Sequence, residues 1–159
     1  MAMAWMVLSL LISYPQWAIS EVRNNPNALR GIEEIDLLVH RLDSRLENAG
    51  YTHDQIKADM ESRLMMAIIK VLPKAVPTLV LDIKTFEFPR HAGLVMIALR
   101  LDLYQFVDLP LSQQVLWTST WSVESITGME TANLSGLRGV IENLVKRFID
   151  DYKSVNPKK

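Results

Sequence analysis

Histidine is the side chain that changes charge nearest neutral pH, and this chain has three: His40, His53 and His91. Their spacing does not group them. Each falls in a different predicted element, no pair has the i, i+4 step that sets two imidazoles on one helix face, and no HExxH is present. They read as a strand residue, a first-turn helix residue and a hairpin-tip residue, with His91 beside Arg90 able to meet an anionic partner. Carboxylates are densest at Glu33-Glu34-Asp36. On a strand, Glu34 and Asp36 project to the same face and could bridge a cation, although a solvated acidic edge is the simpler reading. Asp150-Asp151 reads as the solvated face of a helix.

A serine nucleophile needs a base and an oxyanion hole, and there is no GxSxG around Ser119, Ser122 or Ser125. Neither a GxxxxGK[ST] nor a GxGxxG phosphate loop occurs. There is no cysteine, which removes disulfides, thiolate nucleophiles and cysteine zinc sites together. The sequence therefore predicts no catalytic residue, no metal site and no cofactor. The 17 basic and 18 acidic side chains leave a formal net charge of −1, without the cationic excess that nucleic-acid binding draws on.

The aromatic and aliphatic residues carry more. Strict strand alternation puts Trp117 and Trp121 on one face of the fourth strand. There they either anchor a core against the helices or line a pocket between sheet and helices for a small ligand or a lipid. The same alternation sends Val80, Phe86, Phe88, Met96, Tyr104 and Phe106 to the opposite face of the sheet. An antiparallel sheet can leave one face in water, and a wet face bearing so many large apolar groups is a candidate interaction surface.

The elements that must position these residues follow from periodicity. Ile35, Leu37 and Val39 recur at period two, predicting strand one over 32–42. Residues 43–50 extend it or form a turn. Thr52 and Gln55 have the spacing of a capping box, and Ile56, Met60, Leu64, Ala67, Ile68 and Val71 form a helical stripe ending near Lys70, before Pro73 and Pro77. Strands two, three and four are predicted at 78–88, 94–107 and 114–126, with Gly128 ending the last. A second helix starts near Asn133, with Leu134, Leu137, Ile141, Leu144, Phe148 and Tyr152 on its apolar face. The order β-α-β-β-β-α predicts an α+β two-layer sandwich: an antiparallel meander of three strands plus strand one, with both helices on one face.

The first twenty residues, ending Ala18-Ile19-Ser20, contain no charge. Their apolar run Trp5–Ile12 has the length of a signal-peptide core and is too short to span a bilayer, though no Lys or Arg precedes it. We expect a signal at 1–20, a flexible leader at 21–30, one domain at 31–157 and a tail at 158–159. That implies a periplasmic or secreted protein with no transmembrane anchor after cleavage.

Several segments carry a resemblance: Gly31-Ile32-Glu33, Gly50-Tyr51-Thr52 with Asp59, Glu61 and Arg63, Thr120-Trp121, and the closing run from Phe148 to Lys158 that includes Asp150-Asp151-Tyr152. By these the chain resembles a group of small secreted bacterial proteins of unknown function, which implies a localisation and no activity. Its topology is also similar to that of LptE-like envelope-assembly lipoproteins and of the auxiliary lipoproteins of ABC transporters, though it lacks their lipid-bearing cysteine. The expectation is a non-enzymatic exported protein that binds a protein partner in the cell envelope, in assembly or transport, and not nucleic acid. A homo-oligomer is also compatible with this reading. The alternatives are a binder of a small ligand or lipid, and an enzyme whose site the sequence does not display.

Overall fold

The computed structural model describes residues 25–87, 91 and 93–157. The predicted signal, the first four residues of the leader, Phe88 and the tail lie outside the described residues. A 3-10 turn at Pro26–Leu29 leads into β1 (Glu34–Val39), α1 (Ser44–Asn48), α2 (His53–Met66), β2 (Lys70–Val71), β3 (Thr78–Glu87), β4 (Leu94–Leu109), β5 (Gln114–Glu130) and α3 (Leu137–Val155). The sheet order is β2-β1-β3-β4-β5. β3, β4 and β5 form the antiparallel meander, while β1 lies parallel to both β3 and β2. A parallel neighbour needs a crossover connection, and α1, α2 and β2 supply it.

This is the α+β two-layer sandwich that the periodicity predicts, with α2 and α3 as its main helices. Ile35, Leu37 and Val39 of β1, Leu79, Leu81 and Ile83 of β3, and the odd positions Val95 to Leu103 of β4 are all buried. Against them pack Ile56, Met60 and Leu64 of α2 and Leu137, Ile141, Leu144, Val145 and Phe148 of α3. Thr52 caps α2 by accepting from the Gln55 amide at 3.2 Å. No helix among the described residues is long and apolar enough to cross a membrane.

Four local expectations are corrected. Residues 43–50 are neither strand nor turn. Asp43 accepts from the Arg45 and Leu46 amides at 3.0 and 3.1 Å and also holds the Thr85 hydroxyl, so it caps a short helix that buries Leu46. α3 starts at Leu137, preceded by Gly136, rather than at Asn133. β5 runs through Gly128, which pairs with Met96, to Glu130.

The fourth concerns α2, which ends at Met66 instead of Lys70. The Ile69 amide donates to Leu64 O at 3.0 Å and the Ile68 amide to Met65 O at 2.9 Å. That closure places Ile68 in the left-handed region at φ 66°, where glycine is usual and a β-branched residue is strained. The reversal buries Ile69 and leaves Ile68 outside, so the predicted stripe position at Ile68 is overturned.

The end of α3 is tied to the start of the described chain. Asn156 accepts from the Gly31 amide at 2.7 Å and donates to Leu29 O at 2.8 Å. The Tyr152 hydroxyl donates to Ile32 O at 2.8 Å. Burial, aided by the nearby Glu33 carboxylate, raises the Tyr152 phenol above its ordinary value of 10.0. The folded state thus favours the neutral phenol, and the stabilisation is complete below pH about 10 and is lost as pH rises toward the folded value. Denaturant titrations at pH 9 and 11 should show wild type losing more stability than Tyr152→Phe. Equal losses would mean that Tyr152 is not the linked group.

Candidate functional site

The sheet face away from the helices is built in rows set by the register. Its middle is polar. His40 Nδ1 lies 3.3 Å from Asp82, and Lys84 Nζ lies 3.2 Å from the same carboxylate. Beside them Arg100 Nε sits 2.9 Å from Asp102, and the Ser119 hydroxyl donates to Asp102 at 2.9 Å. Arg100 Nε also reaches the Ser122 hydroxyl at 3.3 Å. Asp102 is the one buried charged residue among those described, and the cation and hydroxyl beside it satisfy the demand that burial makes.

This band divides the predicted interaction surface. Toward one end lie Phe86 and Met96, opposite each other on β3 and β4. Phe86 is exposed and Met96 half-buried, with exposed Ile126 nearby on β5. Toward the other end lie Tyr104, half-buried, and Phe106, exposed. Val80, expected on the open surface, is buried between Leu38 and Asp102, its partners on the two flanking strands. Phe88 is outside the described residues.

The tryptophans depart furthest from expectation. Leu103 of β4 faces Trp121, but Tyr104 faces Ser119, so Thr120 is an extra residue on β5. A bulge of this kind reverses the side-chain alternation on one side of it. Trp121 consequently points to the helices. It is buried, meets Phe148 edge-on at 5.1 Å and donates from Nε1 to Asp151 at 2.9 Å. Trp117 points the other way, 4.8 Å from the Phe106 ring and stacked 6.1 Å from Tyr104. The pair therefore lines no common pocket between sheet and helices. The partly open cleft between α2 and α3, lined in part by Met60, Arg63, Arg138 and Glu142, offers about 10 Å³, room for about one water.

Tyr104, Phe106 and Trp117 belong to a projecting structure. The last β4 residue paired to β3 is Tyr104, opposite Thr78, whereas β4 and β5 stay paired out to Leu109 and Gln114. The remainder is a two-stranded ribbon standing beyond the sheet, with Phe106, Val115, Leu116 and Trp117 exposed along it and Leu111 wholly exposed at its tip. Between Leu103 and Val123 the only charged side chain is Asp108. That run of low charge was the available sequence signal for a ribbon of this kind.

No protein-family model matches the chain, and no curated protein matches its sequence. Solved structures do. One is a minor lipoprotein from Acinetobacter baumannii, 11% identical, with a TM-score of 0.41 over 80% of this chain and 95% of that one. Another is rare lipoprotein B from Shewanella oneidensis, 14% identical, with a TM-score of 0.39 over 77% of this chain and 96% of that one. These are bacterial lipoproteins to which the chain is similar.

His53 Nδ1 lies 3.0 Å from Asp54 and its Nε2 2.9 Å from Val39 O, while His40 meets Asp82. Among the described residues no three His, Asp or Glu side chains converge as a metal site would require. Ser119 reaches Asp102 and Trp121 O, an arrangement that secures the bulge.

Proposed function

We propose that this chain is a non-enzymatic protein of the bacterial cell envelope, periplasmic or secreted, that acts by binding a protein partner through the ribbon end of its open sheet face. One observation carries this: Tyr104, Phe106 and Trp117 form an aromatic cluster, with Phe106 and Trp117 left exposed on a ribbon standing beyond β3. Interfaces concentrate their binding energy in such aromatic anchors. Rigid rings on a paired ribbon also lose little entropy when a partner covers them. The charge-free, apolar start of the chain supports export, and a role in envelope assembly or transport suits a binding surface of this kind.

The test is the double variant Phe106→Ser/Trp117→Ser in the full chain, with a photo-crosslinking residue at Val115 to capture the partner in the native host. Loss of two anchors should weaken capture by about thirtyfold, corresponding to about 2 kcal/mol. Exposed positions contribute little to folding, so Tm should fall by no more than about 5 °C. Capture that survives the double variant would remove the ribbon from the binding mechanism.

A further inference from the structure

A second surface, at the opposite edge of the sheet, carries an apolar patch with a different electrostatic setting. After α2 ends, Met65, Met66 and Ile68 are 65%, 74% and 66% exposed, and Leu72 and Val76 of the same segment are exposed as well. From Ser62 to Leu81 there is no acidic residue, whereas Arg63, Lys70 and Lys74 are present. Met66 also borders a groove of about 280 Å³ whose lining includes Arg63, Lys146, Ile149 and Lys153 against a single carboxylate, Glu142. Arg63 pairs with Glu142 at 2.5 Å and Lys146 with Asp150 at 2.5 Å. Lys153, Lys70 and Lys74 make no ion pair among the described residues. In a chain whose net charge is −1, this edge is a local cationic and apolar surface.

Ile68 sharpens the point. Its φ of 66° suits glycine, and its side chain is mostly in water, so little burial offsets the strain. A surface that inserts apolar side chains would gain more from this isoleucine than the fold does.

We propose that the end of α2, with Met65, Met66 and Ile68 as inserting residues and the unpaired Lys70, Lys74 and Lys153 beside them, docks the protein on an anionic phospholipid bilayer. Exposed apolar side chains enter the acyl boundary while neighbouring cations meet lipid phosphates, and the two contributions together hold a peripheral protein where either alone is weak. The cations decide between occupants. A second copy laid on this face would bring the uncompensated Lys70, Lys74 and Lys153 toward those of its mate, whereas an anionic headgroup layer complements them. This surface lies apart from the aromatic ribbon, so docking there leaves the ribbon open to its partner.

Because the chain has no cysteine, a single Cys replacing Met66 in the full chain takes an environment-sensitive fluorophore that reports on this patch alone. With phosphatidylcholine vesicles containing 30% phosphatidylglycerol, the label should shift to the blue. A label replacing Glu47, on α1, should not. Lys74→Glu/Lys153→Glu should weaken the transfer by about tenfold and abolish the preference for phosphatidylglycerol over phosphatidylcholine. Ile68→Gly should raise Tm by relieving the backbone and at the same time weaken transfer severalfold, a pairing of signs that a merely structural role would not give. A Met66 label that stays aqueous with anionic vesicles overturns the proposal. So does a blue shift that grows with protein concentration in the absence of lipid, which would assign the patch to a second copy. Phe106→Ser/Trp117→Ser should leave the Met66 signal unchanged; its loss in that variant would move membrane contact to the ribbon and overturn the proposal as well.

Discussion

Trp121→Ala should destabilise the fold by about 3–5 kcal/mol, the range for truncating a buried large aromatic, while Trp117→Ala should cost about 1 kcal/mol. The two residues are four apart on one strand, and regular alternation would make them equivalent. Trp121 fills the core between β5 and α3, touches Phe148 edge-on and gives its indole proton to Asp151. Truncation opens a cavity and leaves that carboxylate without its donor. Trp117 loses only its contacts with Phe106 and Tyr104 on a surface already in water. Trp121→Phe separates the two components, because it keeps the ring and removes the hydrogen bond to a charged acceptor, a loss of about 1.5–3 kcal/mol. Urea denaturation of the three variants is the measurement. Equal costs at 117 and 121 would show that Thr120 does not bulge.

The second large effect concerns Asp102. Arg100→Met should cost about 2–3 kcal/mol, somewhat under the usual figure for stranding a buried charge because the arginine is partly in water. The Asp102 side chain is only 8% exposed and that of Arg100 is 53% exposed, so the carboxylate cannot turn to solvent when its cation is removed. The Ser119 hydroxyl still donates to it. Asp102→Leu should cost less, about 1 kcal/mol, because Arg100 can rehydrate. The double variant Arg100→Met/Asp102→Leu should recover most of the loss, since two apolar groups of matching size satisfy each other. A double-mutant cycle in urea measures the coupling. Strict additivity would mean that the pair contributes nothing as a pair.

The two cases also show what periodicity carries. Leu79, Leu81 and Ile83, and the run from Val95 to Leu103, fall on the core face as alternation requires, because one face of each strand must be buried along its whole length. Thr52 and Gln55 mark the start of α2 through a local hydrogen bond that any such pair can make. The bulge at Thr120 has no comparable mark. No glycine or proline flags it, and it is held by a distant carboxylate and by the helix packed on Trp121. Strict alternation therefore places everything on β5 before it on the wrong face. The end of α2 was hidden for a related reason. Its left-handed residue is Ile68 instead of glycine, and what stabilises the reversal is the burial of Ile69, a tertiary effect. Asp43 was a legible cap in principle, but five helical residues give too little periodicity to outweigh the strand that precedes them.

The candidate surface was legible in part. Tyr104 and Phe106 lie on the predicted face, but the polar row through Asp82, Arg100 and Asp102 divides it, and Val80 is sealed between neighbours. The aromatic cluster that replaces the continuous patch needed Trp117 from the other side of the bulge.

The fastening at Asn156 has a mechanical consequence. Ala28 O accepts from Gln105 at the root of the ribbon, while Leu29 and Gly31 are bound to the last residues of α3. Both ends of the described chain thus leave the molecule beside that root. Tension transmitted along whatever precedes Asn25 would load α3, and through Asp151 the indole of Trp121, before it reached β1.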